Sequence, residues 1–195
     1  MLADNQQQAL AWQVTTWDQM ANLYATENAP RMAPVADRVI AHAALSYGEH
    51  VLDVGTGTGI VAERAAAGVG PTGHVVGVDM SPDMLAFAQT KLKEGGFTNV
   101  SLCESGAESI PSDDKTFDVV LGSLSFMYVV DRAAAALEIA RVLRPGGRLV
   151  GAVWTGPDHC DLVRFQQIAG SFAAVPPYSG VGPGALANPT PFLQQ

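Results

Sequence analysis

Basic residues are scarce in this chain. Eleven lysines and arginines stand against 19 acids, giving a formal net charge of −8 and a sequence pI near 4.8. A surface built to hold a polyanion needs the opposite balance, so nucleic acid is not an expected partner. Cysteine is nearly absent. Cys103 and Cys160 stand far apart and match no metal-ligand spacing, so free thiols and no metal are expected. Charged residues make up only 15 % against 48 % hydrophobic, which excludes a disordered chain. Long apolar runs are missing too. The longest, Val119 to Val130, is interrupted by Gly122, Ser123 and Ser125 and is too short to span a bilayer. The opening Met-Leu-Ala-Asp-Asn-Gln-Gln-Gln has neither the basic start nor the apolar core of a signal peptide. These absences leave a soluble cytoplasmic protein, and 195 residues suit one domain with a sizeable core. No internal repeat is visible.

Glycine is what the chain has in concentration. Val51-Leu-Asp-Val-Gly-Thr-Gly-Thr-Gly-Ile60 places three glycines within five positions, directly after an apolar run. Around it, apolar β-type runs alternate with helical stretches. The first fifty residues read as Ala-rich helix broken near Pro30 and Pro34. Val51–Val54 reads as a first strand and Ile60–Ala67 as a helix with Gly68 at C′. Val75–Val78 is a second strand. Ser81-Pro82-Asp83 then supplies an N-cap, a first-turn proline and an acid, starting a helix that runs to Lys93 and ends at Gly95-Gly96. Val100–Cys103 and Phe117–Leu121 are strands three and four, and Asp131 caps a helix reaching Leu143. Arg144-Pro145-Gly146-Gly147 predicts a type II turn, and Arg148–Trp154 a fifth strand. Strands alternating with helices predict a parallel sheet covered on both faces, a doubly wound α/β domain.

Ligands of such sheets sit at the carboxyl ends of the strands, where the first glycine loop lies. Gly55 and Gly57 let backbone approach a ligand, and Gly59 lets the helix pack close to the strand. Asp79 ends the second strand at the spacing of a carboxylate that accepts hydrogen bonds from both hydroxyls of a ribose. A dinucleotide loop would hold a pyrophosphate at its helix N-terminus. Here Asp53 precedes the first glycine by two residues and would repel phosphate while attracting an ammonium. A ligand with adenosine at one end and a cationic amino acid at the other fits better, and S-adenosylmethionine is such a ligand.

On these blocks the chain resembles the class I methyltransferases, in particular the branch with the ubiquinone/menaquinone C-methyltransferases and many small-molecule O- and N-methyltransferases. The resemblance covers roughly residues 17 to 154. It rests on the glycine loop, on Val76-Gly-Val-Asp-Met-Ser-Pro-Asp-Met84, on Gly106-Ala-Glu-Ser-Ile-Pro111 with Phe117-Asp-Val-Val120, and on Ala140-Arg-Val-Leu-Arg-Pro-Gly-Gly-Arg-Leu149. It implies a Rossmann-like sheet of order 3-2-1-4-5. It also implies roles by position. Asp53, Gly55, Thr56, Gly57 and Gly59 would face the methionine moiety and Asp79 the ribose. Met80 and Met84 would flank the adenine, with Ala107 offering its N–H to the adenine edge beside Glu108. Ser123 would lie near the methionine end. Tyr24, in Trp17-Asp-Gln-Met-Ala-Asn-Leu-Tyr24, would close over the cofactor or simply pack in its helix.

Two positions depart from the family pattern. Gly106 stands where relatives often carry Asp or Asn for the adenine amine, so that contact is lost or supplied elsewhere. Met127 and Tyr128 stand where many relatives have histidine. Methyl transfer from a sulfonium is an in-line displacement, and a base is needed only when the acceptor must lose a proton early. His159, Tyr128, Asp158 and Asp161 are the candidates, with His159 also readable as a surface residue. An arsenite substrate would need a thiol cluster that two distant cysteines do not supply. The readings that remain are a methyltransferase of a small-molecule O, N or C acceptor, an NAD-dependent oxidoreductase on the same fold, and a cofactor-binding module without turnover. The expected layout is a helical cap over 1–45, a cofactor-binding core over 46–155 and a lid or substrate-side segment over 156–195. A helix over Phe165–Ala174 and a proline- and glycine-rich stretch over 176–191 fall in that last part. The resemblance further implies that terminal strands six and seven are missing from a truncated chain. Strand five would then be an apolar edge, covered by a homodimer or by residues 155–195.

Overall fold

The computed structural model describes residues 4–172 and 180–187. Two layers of helix enclose one five-stranded sheet. Five strands form it: β1 (His50–Val54), β2 (His74–Asp79), β3 (Val100–Glu104), β4 (Phe117–Ser123) and β5 (Leu143–Ala152). All pairings are parallel and the order is β3-β2-β1-β4-β5, the doubly wound α/β arrangement expected. The strands are apolar on both sides, as a doubly covered sheet requires. Val51, Val75, Val119 and Leu121 face one layer, against Ala36, Val39, Val61 and Ala65. Leu52, Val54, Val78 and Val120 face the other, against Ile110, Ala135, Ile139 and Val142. Adjacent residues of one strand thus feed opposite cores, the period-two rule of a strand.

The helices are α1 (Asp4–Leu23), α2 (Ala29–Ala43), α3 (Ile60–Val69), α4 (Pro82–Glu94), α5 (Arg132–Val142) and α6 (Asp161–Gly170). Both caps expected from sequence are made. Ser81 accepts the Met84 N–H and Asp131 accepts the Ala134 N–H. Other local expectations need correction. The N-terminal segment does not break at its prolines. It changes pitch in a π-turn, Tyr24–Asn28, and runs on as α2 through Pro34. The wider turn leaves the ordinary i→i−4 ladder just where Pro30 would lose an N–H and crowd a carbonyl. Gly68 does not end α3 but lies inside it, packed on Leu45. Gly70, at φ +68°, ψ −174°, makes the exit. Arg144–Gly147 bulges out of β5: Phe117 pairs with Leu143 and Val119 with Arg148, so five steps on one strand oppose two on the other. Gly146 at φ +83° is the left-handed residue that the expected type II turn requires. The last helix lies at Asp161–Gly170, earlier than expected. Positions 173–174 of the helix expected to reach Ala174, most of the proline-rich stretch and the ending Phe192–Gln195 lie outside the described residues.

Candidate active site

The glycine loop leaves β1 in an unusual backbone. Gly55, Gly57 and Gly59 have φ of +68°, +53° and +81°, which residues with a Cβ resist. Each glycine answers a different demand. A side chain at Gly55 would overlap Ser125, and one at Gly59 would come within 3.0 Å of the Ala88 Cβ on α4. At Gly57 nothing stands within 4 Å of the missing Cβ, so its backbone faces open space. The loop is held from behind: Gly55 and Thr56 both donate to the Val78 carbonyl at 2.9 Å.

Asp79 lies beside that loop at the end of β2. One carboxylate oxygen accepts the Gly57 N–H at 2.8 Å and the other the Ser81 N–H at 3.0 Å. Burial raises its pKa, and the backbone N–H donors act against that rise. Ser81 in turn donates its hydroxyl to Asp18 of α1 at 2.5 Å. A single chain of polar contacts therefore links the N-terminal helix to the loop.

An open cavity with about 1070 Å³ of empty space lies over these groups. Tyr24, Gly55, Thr56, Gly57, Asp79, Met80, Met84, Ala107, Glu108 and Ser123 all line it, so the structure gathers ten of the residues singled out from sequence. Gly59 lies off the wall, against α4. Asp53 lies behind the loop. It is 1 % exposed, its Oδ2 accepts the Thr56 hydroxyl at 2.7 Å, and its Oδ1 has no hydrogen-bond partner among the described residues. Burial, more than any neighbouring charge, pushes its pKa up to about 7.

Of the candidate bases, Tyr128 alone lines the cavity. Its phenol is pushed up to about 12, chiefly by burial, so it is protonated at neutral pH. Its ring meets Trp17 edge-on at 5.1 Å between centroids, and Trp17 meets Tyr24 the same way at 5.9 Å. His159 sits in an exposed turn after β5, where its N–H donates to the Gly156 carbonyl; Asp158 and Asp161 are exposed as well. None of the three lines the cavity. Glu108 holds the Asp131 N–H through Oε1 at 3.3 Å, and its Oε2 stands 2.8 Å from where a Cβ of Gly106 would be. The bare position at 106 is thus filled by the neighbouring carboxylate.

Sequence reasoning missed the contributions of Gln13, Val14, Trp17, Met32 and Ser125 to the wall. Ser125 follows β4 and could have been found from the strand-end rule. Trp17 stands in the block quoted for Tyr24, but Gln13 and Val14 carry no motif, and only their tertiary placement reveals them.

The methyltransferase-domain family model matches residues 45–158, more than half of the chain. Among curated proteins, the ubiquinone/menaquinone biosynthesis C-methyltransferase UbiE of Shewanella frigidimarina is 36 % identical over 69 % of this chain and 53 % of its own length. The protein of that name from Hahella chejuensis is 34 % identical over 66 % of this chain and 52 % of its own. The chain spans about half the length of the curated relatives it matches. Among solved structures, a SAM-dependent methyltransferase from Aquifex aeolicus superposes with a TM-score of 0.58 at 29 % identity, over 62 % of this chain and 64 % of that one. The matched segment contains the glycine loop, Asp79, Met80, Met84 and the Gly106–Glu108 edge, and on that ground this chain belongs to the methyltransferase-domain family.

Proposed function

We propose that this protein transfers a methyl group from S-adenosylmethionine to a small molecule, and that its similarity to C-methyltransferases favours carbon as the atom methylated. The observation that carries the reading is the pairing of Gly57 with Asp79. A left-handed glycine presents bare backbone to the cavity, and its own N–H anchors a carboxylate at the end of the next strand. The residues present fit the cofactor. Asp79 would take the ribose hydroxyls, and Met80, Met84 and Ala107 would enclose the adenine. Glu108 Oε2, beside the empty position at 106, would accept the adenine amine. The loop backbone and Ser123 would border the methionine end, and Tyr24 would cover it. The fully buried Asp53, which accepts the Thr56 hydroxyl through one oxygen, would act through the loop, when ionised, as a nearby negative charge for the ligand's ammonium. When bound, the cofactor supplies an electrophilic methyl on a sulfonium. The chain's own residues align the acceptor and keep water out.

Titration calorimetry with S-adenosylhomocysteine and with NAD tests this. Binding of S-adenosylhomocysteine with no response to NAD is expected, and the reverse pattern would sink the reading. The oxidoreductase reading has no support in the matched family. The layout we infer is a helical cap over 1–45, a cofactor-binding core over 46–155 and a substrate-side segment over 156–195. No helix among the described residues is long and apolar enough to cross a membrane. Two free cysteines accord with a cytoplasmic setting, and the acidity counts against nucleic acid as substrate. Self-association is part of the proposal, because β5 is an edge of the described sheet and Leu149 and Val153 on that side are 49 % and 39 % exposed.

A further inference from the structure

Residues 105–116 join β3 to β4 and carry Ala107 and Glu108 to the cavity wall, yet they contain no helix or strand. The contacts that fix this loop come from α5. Ile110 is 3 % exposed and has no ladder to join, so its backbone groups need other partners. Glu138 Oε2 accepts the Ile110 N–H at 2.9 Å, and Arg141 Nη2 donates to the Ile110 carbonyl at 2.9 Å. Arg141 Nη1 donates to the Ser112 carbonyl at 2.8 Å and to the Asp114 carboxylate at 2.9 Å. Its Nε and Nη2 also reach the two oxygens of Glu138, each at 2.8 Å. Those contacts use every N–H of the guanidinium.

The other end of α5 holds the loop as well, because the N–H of its cap residue Asp131 donates to Glu108 Oε1. The helix itself is seated on the sheet by Ala135, Ile139 and Val142. An ion pair three residues apart on a half-exposed helix contributes little by itself. Glu138 and Arg141 do something more specific, since each also fixes backbone of the loop. Neither lines the cavity. Ile110 lies two residues beyond Glu108, so a shift at Ile110 moves that carboxylate. A hydrogen bond weakens steeply with displacement and misalignment, so such a shift would be felt by whatever Glu108 binds.

We propose that Glu138 and Arg141 are positioning residues for base selectivity: by clamping Ile110 and Ser112 they hold the Glu108 carboxylate where it accepts an amino group on the bound base and turns away a carbonyl oxygen in its place. This rests on the methyltransferase reading for the identity of the ligand. It adds two residues of α5, both outside the cavity, that set how strictly the ligand's base is read.

The test is calorimetry with S-adenosylhomocysteine and with S-inosylhomocysteine, in which hypoxanthine replaces adenine. The wild type should prefer the adenine form about tenfold or more. Arg141→Leu and Glu138→Gln should each cut that preference about fivefold. Arg141→Lys keeps the charge but loses the planar fork, and should fall between the wild type and Arg141→Leu. Because the pair acts through Glu108, adding Glu138→Gln to Glu108→Gln should leave the preference where Glu108→Gln alone puts it. Glu49→Gln breaks a comparable pair with Arg148 at the opposite ends of the strands, and should lower the melting temperature without changing the preference. If Arg141→Leu does not fold, Glu138→Gln and Arg141→Lys decide alone. The proposal is overturned if the wild type binds both ligands equally, or if Glu138→Gln and Arg141→Lys keep the wild-type preference. It is also overturned if Glu138→Gln lowers the preference as much without the Glu108 carboxylate, or if Glu49→Gln lowers it as much as Glu138→Gln. In each of these cases S-adenosylhomocysteine still binds and the methyltransferase reading stands. A wild type that binds neither ligand overturns that reading, and this proposal with it.

Discussion

Two carboxylates near the glycine loop are both raised in pKa by burial, yet they are placed for different work. Asp79 accepts N–H donors from Gly57 and Ser81 and reaches the cavity, while Asp53 is sealed behind the loop with one oxygen unpaired. For Asp79, replacement by Ala removes charge-assisted bonds to the ribose. The expected loss in S-adenosylhomocysteine affinity is tenfold or more, at about 1.5–3 kcal/mol per such bond. Calorimetry on wild type and Asp79→Ala checks it; equal affinities would place the ribose elsewhere. For Asp53, the sign of the pH effect is set by its upward shift, from an ordinary 3.8 to about 7. Between those values the folded chain holds a proton that the unfolded chain has released. Stability contributed by this group therefore falls as pH rises through about 4 to 7, and is level above that. Compared with Asp53→Asn, the wild type should lose melting temperature from pH 5 to pH 8. Parallel melting curves for the two proteins would show that Asp53 is not the group responsible.

Among the elements, α1 is docked with little apolar burial of its own. Only Ala9, Gln13 and Ala21 of its 20 residues are fully buried, so it adheres without a broad apolar face. Asp18 fastens it to the start of α4 through the Ser81 hydroxyl, the same hydroxyl that caps the helix at Met84. One atom thus closes a helix end and docks its neighbour. Ser81→Ala should cost about 1 kcal/mol for the cap alone, or about 2–4 °C in melting temperature for a chain of this size. The Asp18 carboxylate would keep only the longer bond from the Asp83 N–H, at 3.4 Å, so hydrogen exchange in α1 should rise more than in α5, whose Asp131 cap is untouched. Uniform exchange in both helices would show that α1 is held by something else.

For the whole molecule, the open edges of the sheet are the main feature. β1, β2 and β4 are paired on both sides, whereas the two edge strands, β3 and β5, pair only with β2 and β4 respectively among the described residues. Near β5, α6 carries Leu162, Phe165 and Ile168 at 41 %, 66 % and 58 % exposure. The buried side of α6 is Val163, which packs near Gly184 of the returning segment 180–187. That segment anchors elsewhere, with the Gly182 N–H on the Met127 carbonyl and Arg132 on the Gly180 carbonyl. Apolar surface so arranged favours association. Light scattering should therefore give a dimer at micromolar concentration, and Leu149→Lys on β5 should shift it toward monomer without changing S-adenosylhomocysteine affinity. A wild type that is monomeric at every concentration would defeat the proposal.

How far the chain could be read without its structure depended on whether a feature is local. Glycines forced to positive φ, an N-cap serine three residues before the N–H it accepts, and apolar runs buried on both sides are consequences of neighbouring residues. They made the doubly wound sheet and the wall at the strand ends legible, because such a sheet puts its loops in one place, while the strand order followed from the family resemblance. Tertiary packing decided the rest. Pro30 and Pro34 read as breaks, since nothing local announces that a π-turn will absorb the first of them. Gly68 read as a helix end, although packing on Leu45 carries α3 two residues on to Gly70. The burial of Asp53 off the cavity wall, the carboxylate of Glu108 in the space left by Gly106, and the place of Gln13 on the wall have no sequence signal at all. Each depends on contacts between residues distant in the chain, or on the direction a side chain takes once its element is packed, and those are fixed only when the sheet, α1 and α4 have closed on one another.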